Sequence, residues 1–214
     1  MSAPLILIPT AGEMSVIAGR LEAIGFPAER IALCGFGPVA AASRTTQLLL
    51  QSPADHVFLA GIAGGLDREI APGSAMSFSE VAMYGIGAGV ADTFRTAGDL
   101  GWSHWKQTTE SGGEFRIGDQ ITLFDENRHE ERQLLTVCSA AATQKDVHDR
   151  RLTFPKAVAE DMEGFSVAFA CAMAGCRLSI IRGISNVAGD RDKAHWRIAD
   201  ALHAASDLLI ETLQ

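Results

Sequence analysis

Four stretches of this 214-residue chain carry side chains that can do chemistry: Glu13 in PTAGE, the run GIAGGL (61–66), Asp161 and Glu163 around Met162, and the pair Ser185-Asn186. A positioned carboxylate can take a proton from water. A carboxylate is acceptor-only and can hold two neighbouring hydroxyls at once. An amide offers N–H donors without carrying charge. Glycines let the backbone come close to a ligand. Each feature alone also has an ordinary structural reading. Glu13 can be an acid placed in a first helical turn, Glu163 a solvated or helix-terminal acid, and Asn186 a residue closing a turn on its own backbone. GIAGGL is not the dinucleotide fingerprint G-x-G-x-x-G, and neither a P-loop nor a G-x-S-x-G elbow is present. The six histidines are scattered, without metal-ligand spacing.

The elements that must position these residues follow from the apolar pattern. PLILIP (4–9) reads as a buried strand, and EMSVIAGRLEAIG as a helix with Met14, Ile17, Leu21 and Ile24 at helical spacing and Gly25 as its stop. RIALCGFG predicts a strand, PVAAASRTTQLLLQS a helix with Pro38 in its first turn, and HVFLAGIAGGL a third strand. This β-α-β-α-β order predicts parallel strands with helices on their faces. SAMSFSEVAMYG predicts one more strand. Residues 85–131 are less regular and predict a loop, a short helix and a strand pair, with a polar stretch FDENRHEER (124–132). RQLLTVCSA, KAVAEDM and RLSIIRGISN predict strands, EGFSVAFACAMAG a helix, and KAHWRIADALHAASDLLIETL a terminal amphipathic helix whose stripe Ile198, Ala201, Leu208 and Leu209 faces the core. The expected fold is α/β: a single domain, residues 1–214, with a mixed, twisted central sheet flanked by helices. Ligands of such sheets bind at the carboxyl ends of the strands, where all four stretches fall.

A hydrophobic content of 47% with 21% charged residues is that of a globular domain rather than a disordered chain. A net charge of −8 argues against a nucleic-acid or anionic-membrane partner. PLILI lacks a basic flank and is too short for a secretory leader, and no run approaches the roughly 20 apolar residues of a membrane span. Cys34, Cys138, Cys171 and Cys176 form no C-x-x-C pair and lie in apolar runs, so they read as reduced core residues of a cytoplasmic protein.

In chain order, PTAGEM, CGFGPVAAA, AGIAGGL, EDMEGFSVA and IRGISNVAGDRD resemble the nucleoside phosphorylase/nucleosidase superfamily, nearest to its methylthioadenosine/adenosylhomocysteine nucleosidases and futalosine hydrolases. D-M-E-G followed by R-x-I-S-[DN] carries most of the specificity. S-N-V-x-G-x-R-D-x-x-x-W-R-I and YGIGAG (84–89) look like the futalosine hydrolases. The resemblance implies that Glu13 activates the attacking water, that Glu163 holds the ribose hydroxyls, and that Met162 packs on the sugar. It implies that Ala63 and Gly64 wall the sugar and base, and it brings Ala142 and Thr143 near the base-binding segment. Where the adenine-specific nucleosidases have Asp, this chain has Asn186. A 6-oxopurine presents acceptors at O6 and N7, which an ionised Asp would face with lone pairs and an amide meets with N–H donors. The resemblance and this amide together imply hydrolysis of futalosine to hypoxanthine and dehypoxanthine futalosine, a step of menaquinone biosynthesis, without metal or organic cofactor. The family's enzymes are homo-oligomers.

A phosphate nucleophile would call for Arg or Lys beside Glu13, and Arg20 lies two helical turns away, leaving Arg44 and Arg182 as possible phosphate ligands. Futalosine bears a benzoate at its ribose 5′ end, which calls for a cation or an aromatic rim. Arg95, Arg116, Trp102 and Trp105 lie in the irregular region as candidates. The rival readings are a methylthioadenosine/adenosylhomocysteine nucleosidase, a purine nucleoside phosphorylase, and a non-catalytic nucleoside-binding protein.

Overall fold

The computed structural model describes residues 3–109, 112–124 and 131–214. In chain order its elements are β1 (Leu5–Ile8), α1 (Ala11–Ala23), β2 (Ile31–Leu33), α2 (Pro38–Gln51), β3 (His56–Gly65), β4 (Ala75–Ser77) and β5 (Glu80–Met83). There follow β6 (Gly87–Ala88), β7 (Arg95–Thr96), β8 (Trp105–Thr108), β9 (Glu114–Ile117), β10 (Gln120–Thr122) and β11 (Gln133–Thr136). The chain closes with α3 (Gln144–Thr153), β12 (Ala157–Asp161), α4 (Gly164–Ala174), β13 (Arg177–Val187) and α5 (Ile198–Leu213).

Among the described residues, nine strands form one mixed sheet in the order β10-β5-β11-β12-β3-β1-β2, with β13 also on β3 and β4 on β13. β3 organises it: it pairs in parallel with β13 and β1, and antiparallel with β12 at Gly64 and Gly65. β1 shows why its sequence is apolar throughout. Leu5 and Leu7 join one core with residues of α2 and α4, while Ile6 and Ile8 join the opposite core with Ile17, Leu21, Leu202 and Leu209 of α1 and α5. A strand covered on both faces has no polar side to show.

Several sequence expectations are corrected. SAMSFSEVAMYG is two strands, β4 antiparallel to β13 and β5 parallel to β11, split at Phe78-Ser79. The terminal helix begins at Ile198, because Lys193–His195 form a separate 3₁₀ turn capped by Asp192. Helix α3 is unpredicted; it is a polar helix capped by Thr143 and Asp146. Ala201 and Leu209 of the terminal stripe are buried, but Ile198 is exposed. Where the sequence predicts a short helix and one strand pair, the irregular region holds a three-residue 3₁₀ turn at Ala91–Thr93, two strand pairs, β6–β7 and β8–β9, and β10, which joins the main sheet. Of the polar stretch 124–132, residues 125–130 lie outside the described residues. Cys34 and Cys171 are core residues, whereas Cys138 is exposed and Cys176 half-buried.

Candidate active site

β1 ends at Ile8, and Thr10 starts α1 as its N-cap, its hydroxyl oxygen accepting from the Glu13 amide at 3.3 Å. That turn brings the Glu13 carboxylate back over the strand ends. Its Oε2 accepts from the Thr10 hydroxyl at 2.5 Å, and its Oε1 from the Ile62 amide of β3 at 2.9 Å. These two donors fix the rotamer of the side chain. Gly61 makes this approach possible. A Cβ there would stand 2.4 Å from Arg182 Nη1 and 2.6 Å from Glu13 Oε1. The glycine run therefore makes room at Gly61 for two charged side chains of the protein itself.

Glu163 caps the path from β12 into α4. Its Oε1 accepts from the Gly37 amide at 3.0 Å and its Oε2 from Arg182 Nη2 at 3.3 Å. Burial pushes its carboxyl up to about 7, with the Asp161 and Glu13 charges adding to the rise and Arg182 and the Gly37 amide opposing it. Arg182 is wholly buried. Burial works against its charge, but Asp161, Glu163 and Glu13 more than offset this and hold it above its ordinary value. Asp161 is the structural partner. It accepts from Arg182 Nη2, from Gly164 N at 2.8 Å and from the Thr136 hydroxyl at 2.7 Å, and its side chain is sealed from solvent. Of the adjacent acids, Asp161 thus fixes the arginine and the start of α4, and Glu163 is free to present its other lone pairs.

Asn186 owes its placement to a bulge. β13 pairs Ile184 with Ala63 and then Asn186 with Gly64, leaving Ser185 unpaired. Strict alternation would turn Ser185 and Asn186 to opposite faces. The bulge lets both side chains line the same cavity. Asn186 Nδ2 donates to Val187 O at 2.9 Å, and Oδ1 accepts from the Ser185 hydroxyl at 2.8 Å. A carbonyl only accepts, so the atom facing Val187 O is the nitrogen, whose second hydrogen remains for a ligand.

These groups meet in one cleft of about 530 Å³. Glu13, Glu163, Asn186, Met162, Ala63 and Gly64 all line it. Thr143 does not: its hydroxyl is engaged with Asp146 as the α3 cap, and with Ala142 it is exposed. Val137, Ala140 and Ala141 form that wall instead. Glu160 positions them, accepting from Ala141 N at 2.7 Å while paired with buried Arg150, which in turn donates to Ser139 O at 2.7 Å. The phosphate-ligand candidates are spent elsewhere. Arg20 pairs with Asp207, Arg44 with Gln47 on the surface, and Arg182 is sealed behind the carboxylates. Arg95, Arg116, Trp102 and Trp105 do not line the cleft; Arg95 donates to Phe94 O, and Arg116 faces Lys106 across β8–β9. Sequence reasoning missed Arg191 and Trp196, which do. Their presence in the quoted R-D-x-x-x-W segment was the available signal.

The fold is shared with solved nucleosidases and a futalosine hydrolase. The chain belongs to the phosphorylase superfamily, whose sequence model matches residues 9–214. A futalosine hydrolase of Streptomyces coelicolor is 34% identical over 187 residues, covering 81% of this chain and 73% of that one. The Neisseria meningitidis 5'-methylthioadenosine/S-adenosylhomocysteine nucleosidase, solved with methylthio-immucillin-A, superposes with a TM-score of 0.75 at 17% identity, over 99% of this chain and 98% of that one. The futalosine hydrolase of Helicobacter pylori superposes at 0.70 with 18% identity, over 99% and 97%. Among the described residues no helix is long and apolar enough to cross a membrane.

Proposed function

We propose that this enzyme hydrolyses the N-ribosyl bond of futalosine and releases hypoxanthine. The observation that carries the reading is the meeting of Glu13, Glu163 and the amide of Asn186 in one cleft. The 34% identity with a futalosine hydrolase supports it. As the base departs, the ribose becomes oxocarbenium-like. Glu163 accepts from the ribose hydroxyls and faces the growing positive charge, a preorganised electrostatic stabilisation. Hydroxyl donors favour its ionised form, which burial alone resists. Glu13 takes the proton from the attacking water, its carboxylate aimed by Thr10 and Ile62. Asn186 donates its free N–H to the oxopurine and stabilises the leaving base by hydrogen bonding alone. The apolar wall of Val137, Ala140 and Ala141 packs on the base.

Hydrolysis is favoured over phosphorolysis because Arg20 and Arg44 are engaged with Asp207 and Gln47, and Arg182, though close to Glu13, is wholly buried and paired with Asp161 and Glu163. A homo-oligomer is part of this reading. Phe36 and Val39, exposed where α2 begins beside the cleft, support it, and a monomer by light scattering at assay concentration removes it.

The test is base release in phosphate-free buffer from futalosine, inosine and methylthioadenosine, with hypoxanthine and adenine separated by chromatography. Hypoxanthine from futalosine is expected. Adenine from methylthioadenosine as the main product replaces this substrate assignment with the nucleosidase one. A strict need for phosphate replaces the hydrolase, and no release from any of the three leaves a nucleoside-binding protein.

A further inference from the structure

We propose that Arg191, held over the Trp196 ring, binds the carboxylate of the substrate's 5′ substituent and sets the enzyme's preference for an anionic nucleoside. The inference rests on the futalosine reading and names the residue that tells futalosine from a plain nucleoside.

The cleft is electrically polarised. Glu13 and Glu163 present carboxylates to it, and among the described residues Arg191 is the one lysine or arginine that lines it. Such a cavity suits a ligand whose ribose becomes positive at one end and whose far end is an anion. Arg191 is exposed and makes no ion pair among the described residues, although acids flank it in sequence. Those acids are occupied. Asp190 pairs with His195 at 2.7 Å and accepts from Asp192 N at 2.9 Å, and Asp192 accepts from Ala194 N at 3.0 Å. A cation left unpaired between two aspartates is available to a ligand.

Its geometry suits a carboxylate. The guanidinium carbon lies 5.0 Å from the centre of the Trp196 ring. A guanidinium held over an aromatic ring keeps N–H donors that match a carboxylate in a two-pronged hydrogen bond. Trp196 is itself held, donating from Nε1 to Asp190 O at 3.2 Å. The segment is pinned at one end to β3 and at the other to β13, the strand that carries Asn186. Ala188 N donates to Gly65 O at 2.7 Å, and Arg197 N to Ser185 O at 2.7 Å. The span from Asn186 to Arg191 is therefore fixed, as a clamp for the far end of a bound nucleoside requires. The exposed Phe36 and the Trp196 ring also line the cleft and offer aromatic surface to a benzoate ring.

Steady-state kinetics of the wild type, Arg191→Gln and Arg191→Lys decide the matter, with futalosine, its methyl ester and inosine, the last as substrate or competitive inhibitor. Losing a charge-assisted two-pronged contact should raise the futalosine KM of Arg191→Gln about tenfold or more with kcat nearly unchanged. Constants for the ester and inosine should stay within about twofold, and Arg191→Lys should fall between. An unchanged futalosine KM, or an equal rise for inosine and the ester, overturns the clamp and leaves the hydrolase reading intact. A wild type that releases no hypoxanthine from futalosine overturns both.

Discussion

Gln at position 13 keeps the shape of Glu13 and an acceptor for the Ile62 amide, but it cannot take a proton. Glu13→Gln should bind futalosine with KM near the wild-type value while kcat falls by about 10²–10⁴. Turnover within about threefold of wild type would remove Glu13 from the base role. At Asn186 the structure sharpens a second expectation. Asn186→Asp puts a carboxylate oxygen against the Val187 carbonyl, where the amide now donates. The variant should lose about 1–3 kcal/mol of stability and release hypoxanthine at least about tenfold more slowly, with adenine nucleosides gaining in relative rate. An unchanged preference between the two bases means the base is read elsewhere. Glu13, Glu163 and Asn186 were legible in the sequence because each follows an apolar run that ends abruptly, and strand ends are where α/β sheets place ligands. The Glu160–Arg150 pair was not, since an arginine in a polar helix gives no sign that it reaches a buried acid. The resemblance singles out Glu163 for the ribose, but the role of Asp161 shows only in the three donors it accepts from.

Elements decide how closely those residues meet, and Gly61 shows it most sharply. Alanine there would drive its methyl group into Arg182 Nη1 and Glu13 Oε1, while a Cβ at Gly64 in the same strand meets its nearest neighbours at 3.6 Å, an ordinary contact. Gly61→Ala should therefore lower stability by about 1–3 kcal/mol and displace Glu13, whereas Gly64→Ala should melt near the wild type. Equal melting temperatures for the two variants would show that β3 yields at Gly61. The strands β1 and β3 were readable because residues buried on both faces must be apolar. Helix α3 was not, because it shows no apolar stripe; Val147 and Arg150 are its buried residues, and its signal was the T-x-x-D cap. The bulge at Ser185 was equally hidden, since a one-residue slip between β13 and β3 is a property of the pair and not of either strand.

At the scale of the whole molecule, three buried carboxylates, Glu13, Asp161 and Glu163, share one guanidinium, Arg182. That excess of negative charge sits in a chain whose net charge is already −8. A Glu163 carboxyl raised from 4.5 to about 7, chiefly by burial, means that the folded state holds this proton more tightly than the unfolded chain does. The stability it lends is complete below pH 4.5 and is lost as pH rises through 7. General repulsion among the other acids changes with pH as well, so the comparison must be made against Glu163→Gln, which removes this one ionisation. Between pH 5 and pH 8 the wild type should lose about 2–3 kcal/mol more than the variant in urea unfolding. Equal losses would place the ionisation at another group. A bound nucleoside reverses the sign, because ribose hydroxyls donate to the ionised carboxylate and favour the form that burial resists. The nucleoside should therefore raise the unfolding midpoint more at pH 8 than at pH 5 in the wild type, and equally at both in Glu163→Gln. A pH-independent gain in the wild type would mean that Glu163 does not hold the ribose.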